Sequence, residues 1–441
     1  MIRDQSVSHP ESAVLHFIDN AGIARVKYVP ASRLESLSSG GVGLSPIFGV
    51  LTTDDTFSAV PGLDPCQGDL RLRPDLAHER VLPGSPTWAW TPVDQYTQQG
   101  DPWPGCQRHF LRRMVARAET QGLTFLSAFE LEWTAGRSEG QDWQPIHDGP
   151  SHGGVLTPVL KDHFAALFSD FATAGISVDH GHAEYGAGQL EVALGPTDPL
   201  VAADVFGLAR QIIHQRSHAD GWQASFAPLV TGAVGNGAHA HLSLWREGTS
   251  LFAPMGNGAA MHHDGESFLA GILAELPALT AIGSPLRISY ERVKPGLWSG
   301  AWACWGLENR EAALRLEGAQ GPNAHKSSNV EWKAVDGAAN PYLALGAMIA
   351  AGLHGMEHEL RLPPPLQGDP SLTGPSEGEP VAKLIPQSIE ESTDALGASA
   401  PLREALGDLL IDSVIATRRQ EATTTASLSR EAQIARSRRR Y

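Results

Sequence analysis

The sequence is poor in cysteine. Among its 441 residues only Cys66, Cys106 and Cys304 occur. An odd number with no CxxC pair leaves neither a disulfide framework nor a thiolate zinc site to expect. Long apolar runs are missing too: the longest, around Leu343 to Leu353, is interrupted by Gly346 and falls short of the ~20 residues a membrane span needs. Where a secretory leader would be apolar, the first residues include Arg3, Asp4, His9 and Glu11. The expected setting is therefore a reducing cytoplasm. Positive charge is also in deficit, with 33 Lys and Arg against 49 Asp and Glu, a formal net charge of −16. That balance argues against general nucleic-acid binding and is compatible with cationic ligands. Arg436, Arg438, Arg439 and Arg440 form the one basic cluster, expected as a solvated terminus. The absence of GxxxxGK[ST] excludes a P-loop nucleotide site.

What is present is ordinary globular composition, 42% hydrophobic and 19% charged, enough for a large core. The length makes two or three domains the expectation. The 46 Gly and 31 Pro predict many short elements. Residues 13 to about 95 read as a small α/β unit. Within it, Val14–Ile18 and Ala24–Val29 are strand-like, Ser36–Ser45 reads as a loop, and Leu70 and Leu72 alternate with charged neighbours. The Gly of Ser38–Gly43 reads as part of a mobile loop, not a phosphate cradle. Pro and Gly cluster at Gln98–Gly105, which divides the chain into 1–98 and 104–441. Helices are expected over Arg108–Gln121, Asp162–Ala174, from Asp198-Pro199 to about His218, over Tyr342–Leu353 behind Asn340-Pro341, and finally over Leu402–Arg419. Arg361–Pro380 reads as a surface loop, and His147, His152, His262 and His263 read as surface histidines. No internal repeat occurs.

Four strand-like segments carry chemistry. In Phe129-Glu-Leu-Glu-Trp133, alternation puts Glu130 and Glu132 on one face and apolar residues on the other. Two carboxylates so placed repel unless they are solvated or share a cation. Glu184-Tyr-Gly-Ala-Gly-Gln-Leu-Glu191 repeats the pattern with Gln189 and Glu191. Gly235-Asn-Gly-Ala-His-Ala-His-Leu-Ser243 aligns His239, His241 and Ser243; Val330-Glu-Trp-Lys-Ala334 aligns Glu331 and Lys333. In one site, these carboxylates with His239 call for cations, and an oxygen-rich set favours Mg²⁺ or Mn²⁺. Arg292, Arg310 and Arg315 lie between the third and fourth segments. Arginine forks beside divalent cations suit a phosphate-bearing ligand.

Taken in order, Phe129-Glu-Leu-Glu, Gly188-Gln-Leu-Glu, Gly237-Ala-His-Ala-His-Leu-Ser-Leu, Ser289-Tyr-Glu-Arg, Asn309-Arg and Glu331-Trp-Lys-Ala-Val-Asp-Gly-Ala-Ala-Asn-Pro-Tyr342 resemble the glutamine synthetase family. Within it, the chain is similar to the ligases that join glutamate to amines. The resemblance implies an α+β fold: a small β-grasp-like N-terminal domain and a large catalytic domain. The latter's curved antiparallel sheet, flanked by helices, forms a funnel entered by ATP at one end and by the acid at the other. It implies that Glu132, Glu184 and Glu191 hold one divalent ion and Glu130, His239 and Glu331 a second. Asp179, His241, Ser243, Lys326, Arg310 and Arg315 match nucleotide or phosphate contacts; Arg292 and Gly235 match substrate positions. The implied reaction phosphorylates the γ-carboxylate with ATP and then lets an amine displace phosphate. The implied assembly is a homo-oligomer, a dodecamer of two hexameric rings, with Asp54–Asp69 completing a neighbour's site; neither nucleic acid nor membrane is an expected partner.

Three positions depart from the pattern. Trp298 stands where ammonia-using members carry a flap glutamate, and offers an apolar or cation–π wall in place of a proton acceptor. Val234 replaces a substrate-contacting asparagine, and Lys333 replaces a substrate arginine, a point charge for a fork. Arg310, Arg315 and Trp298 are thus expected at the chemistry, with Lys333 and Trp298 lining the substrates. An organic amine is the expected acceptor, ahead of ammonia and of a non-catalytic role. The tyrosine segment used for adenylylation is not recognisable in Arg361–Pro380.

Overall fold

Alternating hydrophobicity near the N-terminus builds a sheet. A computed structural model describes residues 10–441 apart from 65, 67, 86, 140–141, 233, 256–260, 321 and 373–380. Six strands, β1 (Ser12–Ile18), β2 (Ala24–Pro30), β3 (Val42–Leu44), β4 (Leu70–Pro74), β5 (Arg80–Val81) and β6 (Trp88–Tyr96), form one sheet in the order β2-β1-β6-β4-β3, with β5 beside β6. Its own small core includes Leu15, Phe17, Leu37, Leu72 and Val93. The Ser/Gly-rich stretch expected as a loop is instead helix α1 (Leu34–Gly40) followed by β3. Buried Leu34 and Leu37 hold that helix, and Gly41, at φ 67°, turns the chain into the strand.

The second sheet has ten strands: β7 (Leu123–Glu139), β8 (Asp142–Pro145), β9 (Val178–Ala183), β10 (Gln189–Leu194), β11 (Gln223–Ser225), β12 (Ala238–Arg246), β13 (Thr249–Ser250), β14 (Trp302–Leu307), β15 (Ala312–Glu317) and β16 (Asn329–Trp332). Its order is β14-β15-β16-β12-β7-β10-β9, with β8 and β11 on β7 and β13 on β12. Pairing is antiparallel except between β14 and β15. There a short return through Glu308, in the left-handed region at φ 54°, lays the chain parallel to itself.

Helices α2 (Gln107–Glu119), α3 (Thr157–Thr173), α4 (Pro199–Ala219), α5 (His263–Gly283), α6 (Ser289–Arg292), α7 (Ala324–Ser327), α8 (Pro341–Glu357), α9 (Ile389–Ala398), α10 (Ala400–Leu406), α11 (Asp408–Thr425) and α12 (Arg430–Arg438) complete the fold. Helices α2 and α4 pack on β7, whose Phe129, Leu131 and Trp133 are buried, α5 packs on α8, and α11 packs on α9 and α10. Both expected Asx caps form: Asp198 Oδ1 accepts from Leu200 N at 2.8 Å and Asn340 Oδ1 from Leu343 N at 3.0 Å. Helix α5 is long and apolar enough to cross a membrane, yet 72% of that stretch is buried in the protein. It meets α8 through glycines, since a Cβ on Gly271 would lie 2.1 Å from Ala351 O.

Two expectations need correction at the C-terminal end. The single helix over Leu402–Arg419 is broken at Gly407, whose φ of 80° stops α10 and starts α11. The basic tail, expected to be solvated, is docked in part: Arg436 is held in ion pairs and Arg438 lies over Trp143, while Arg439 and Arg440 are exposed. Arg436 Nη2 bonds Asp54 Oδ1 at 2.6 Å and Glu421 Oε2 at 2.9 Å. Tyr441 is buried, its hydroxyl donating to Ala21 O at 2.6 Å. Between the sheets, buried Arg108 bridges Asp75, Asp94 and Asp204 at 2.8–2.9 Å, and Tyr342 donates to Asp204 at 2.6 Å.

Candidate active site

The register of the large sheet gathers the polar faces of five strands, β7, β10, β12, β15 and β16. Glu130 lies opposite His239, Glu132 opposite Glu191, and His241 opposite Glu331, which in turn faces Arg315. A cavity of ≈ 740 Å³ opens over this face, and a second of ≈ 460 Å³ adjoins it on the same face. Glu130, His180 and Glu317 line both, so the two spaces meet at the carboxylate cluster.

All six residues expected as metal ligands converge there. His239 Nδ1 is 3.1 Å from Glu130 Oε2 and 3.0 Å from Glu331 Oε1. Glu132 Oε2 accepts from Gln189 Nε2 at 2.7 Å and from Gly237 N at 2.9 Å. Glu184, just past β9, lies 2.8 Å from His182 Nε2, which is 3.6 Å from Glu191. Burial and then the charges of Glu132, Glu130, Glu184 and Glu331 push the Glu191 carboxyl up to about 10. Burial alone would also raise Glu130, but hydrogen bonds from His239 and His241 hold it well below the usual carboxylate range. His241 is driven the other way: against the cost of burial, Glu130 pushes its imidazole up to about 9. Carboxylates that must protonate or pair with imidazolium are a donor set short of positive charge. Oxygen-rich and mutually repelling, they fit a divalent cation.

Arg292 is buried and donates to the carbonyls of Lys333 and Val335, both at 3.0 Å. Its Nε is buried without a hydrogen-bond partner among the described residues. Gly235 is required beneath it, since a Cβ there would come within 2.4 Å of Arg292 Cγ. Lys333 is buried with Nζ 2.9 Å from Glu331. Arg310 is exposed at the larger cavity's rim, beside Val234 and Trp298. Arg315 is engaged by Glu308 at 2.9 Å, Glu331 at 3.4 Å, and Glu317. The smaller cavity takes Asp179, His241, Ser243 and Lys326.

Several lining residues escaped the sequence reading. His152 is exposed, as expected, yet stacks on His182 with ring centroids 4.0 Å apart and lines the larger cavity; His180 also stacks on His182. His147 is buried, its carbonyl accepting from Gly188 N at 2.8 Å beneath the β9–β10 turn. Asp179-His-Gly-His-Ala-Glu184 shows the same alternation that exposed the other segments, and would have flagged His180 and His182. Tyr185 meets Trp298 edge to face at 5.7 Å, a pairing of distant segments that no local pattern encodes.

The polar face of the sheet thus holds a carboxylate–imidazole cluster where two cavities meet, and the comparisons with known proteins make the chain an ATP-dependent carbon–nitrogen ligase. Residues 104–437 match the family "Glutamine synthetase, catalytic domain", and the chain belongs to the glutamine synthetase family. It is 44% identical over 420 residues to the gamma-glutamylpolyamine synthetase GlnA3 of Streptomyces coelicolor, covering 94% of this chain and 90% of that protein. Among solved structures it is similar to a novel glutamine synthase homologue, with TM-score 0.84, 31% identity and 99% of both chains covered. A GmaS–ADP complex is also similar, with TM-score 0.83, 25% identity, and 96% and 95% covered.

Proposed function

We propose that the protein forms a γ-glutamyl amide from glutamate and an organic amine, at the expense of ATP, through a γ-glutamyl phosphate. The observation that carries this reading is Trp298 at the mouth of the larger cavity, edge to face with Tyr185. An ammonia site profits from a carboxylate there to take a proton from ammonium; an indole takes none, but covers the apolar part of an alkylamine. The name of the Streptomyces relative makes a polyamine the first candidate.

In this reading ATP enters the smaller cavity, where Asp179, His241, Ser243 and Lys326 face it, and glutamate the larger. Arg292, whose buried Nε has no hydrogen-bond partner among the described residues, and Lys333 are assigned to the acid. Glu132, Glu184 and Glu191 would hold one divalent ion, Mg²⁺ or Mn²⁺, and Glu130, His239 and Glu331 a second. Such ions neutralise phosphate charge and orient it for in-line transfer. Arg310 and Arg315 then stabilise charge on the transferring phosphoryl group. The γ-carboxylate oxygen attacks the γ-phosphorus and ADP leaves. The unprotonated amine attacks the acyl carbon, phosphate departs, and the amine proton passes to solvent or phosphate.

Phosphate release with ATP, Mg²⁺, glutamate and a panel including polyamines, ethanolamine, short alkylamines and ammonium tests the reading. Turnover with ammonium matching every organic amine would replace it by glutamine synthesis. The division at 1–98 and 104–441, and a dodecamer of two hexameric rings with Asp54–Asp69 reaching the neighbour's site, belong to the same proposal. A fully active 47.0 kDa monomer in light scattering would reject the assembly.

A further inference from the structure

The flap that carries Trp298 is closed on itself: Ser299 Oγ accepts from Lys294 N and donates to Lys294 O, both at 3.0 Å. Gly296, Trp298 and Gly300 all have positive φ, at 78°, 52° and 76°. For a bulky residue such as tryptophan the left-handed region is unfavourable and persists only when surrounding contacts impose it. The contact is Glu311, whose Oε1 accepts from Trp298 N at 2.9 Å and whose Oε2 accepts from Gly296 N at 3.2 Å. Glu311 is itself anchored, since its N–H donates to Asn309 Oδ1 at 3.1 Å. Asn309 Nδ2 in turn donates to Leu366 O and Gly368 O at 3.1 and 2.9 Å. One carboxylate thus ties the flap to the turn that bears Arg310, opposite Tyr185.

We propose that Glu311 is a positioning residue, a latch that holds the 294–300 flap so that Trp298 and Tyr185 meet over the larger cavity and exclude water from the acyl intermediate. A charged acceptor taking two backbone N–H groups makes stronger hydrogen bonds than a neutral one, and no other described contact reaches both amides. The catalytic part of this inference rests on the ligase reading above; the structural part does not.

Two measurements on Glu311→Ala, Glu311→Gln and Glu311→Asp test it. In hydrogen exchange, the amides of Gly296 and Trp298 exchange about tenfold faster in Glu311→Ala, with partial protection restored by Glu311→Asp and less by Glu311→Gln, which has one acceptor oxygen. In steady-state assays, KM for the amine rises about tenfold and phosphate released per amide formed climbs from near one to above about two, while KM for ATP stays within about twofold. Unchanged exchange at both amides overturns the latch. Faster exchange with an unchanged coupling ratio and amine KM overturns its role in excluding water. If the wild type turns over no amine, the ligase reading fails separately, and the exchange result still decides the latch.

Discussion

Replacing Trp298 tests the acceptor specificity most directly. The side chain is 48% exposed, and an indole of roughly 250 Å² therefore presents roughly 120 Å² to the cavity mouth. An alkylamine covering about half of that, roughly 60 Å², gains ~1.5 kcal/mol at ~25 cal/mol per Å². Ammonium has no apolar surface to bury and gains nothing. Since ~1.4 kcal/mol is a factor of ten in rate, kcat/KM for the best organic amine is expected to exceed that for ammonium by at least about tenfold. A cationic group seated over the ring face would add ~0.5–2 kcal/mol. Trp298→Ala should lose most of that ratio through the amine, with ammonium turnover little changed. Trp298→Glu should narrow it from both sides, because a carboxylate accepts a proton from ammonium. The assay is phosphate release at saturating ATP and glutamate with each acceptor titrated in turn. Equal efficiency of ammonium and the best amine in the wild type, or an unaltered ratio in Trp298→Ala, refutes the reasoning.

Three further outcomes follow from the same geometry. Glu191→Ala should abolish activity yet leave Tm unchanged or higher without divalent ions, because it removes a carboxylate crowded by four others; Mg²⁺ should raise Tm less than in the wild type, and near-normal turnover at saturating Mg²⁺ would exclude the two-metal assignment. Arg108→Ala should destabilise the protein by about 3–5 kcal/mol in urea denaturation, since Asp204 is left buried without its cation while Asp94 keeps only Arg112 at 2.8 Å, and a loss under about 1 kcal/mol would show that water replaces it. His16 is buried without a hydrogen-bond partner among the described residues, and burial followed by Arg210 lowers its pKa from 6.5 to about 3. The unfolded chain therefore binds the extra proton, and stability present above pH 6.5 falls as pH drops toward 3, by roughly 2 kcal/mol between pH 7 and 5. Read as wild type minus His16→Phe, the difference cancels Asp19 and Asp336, whose carboxyls burial pushes up to about 6 and which titrate with the opposite sign; a pH-independent difference would sink the assignment.

Much of the fold was legible because local rules dominate where an element has one buried face. Alternation across Phe129–Trp133 placed the carboxylates opposite the core, and Asp198-Pro199 and Asn340-Pro341 marked helix starts by supplying both a side-chain acceptor and a residue with no N–H to satisfy. The errors arose where a distant partner decides. Arg436 looked solvated because its carboxylates, Asp54 and Glu421, lie 382 and 15 residues away, and a charge run reads as wet unless those partners are known. The break at Gly407 was missed because apolar residues continue on both sides, and only its φ of 80° separates the two helices.

The site divides along the same line. Each strand displayed its own polar face, but which faces become neighbours depends on register, and register between β7, β10, β12 and β16 is set by packing, not by any one strand. Resemblance to a family supplied that register indirectly, by matching a whole ordered series of motifs. It could not supply the contacts made through the backbone. A proline–glycine turn followed by tryptophan says that an indole stands in the flap, yet nothing near Trp298 in sequence says what holds the flap. Glu311, proposed above as its latch, lies 13 residues away on the far side of β14 and accepts from backbone amides, which carry no sequence signature at all. Residues that touch substrate through a side chain are readable from type and spacing; residues that position other residues through the backbone become visible only when the chain is folded.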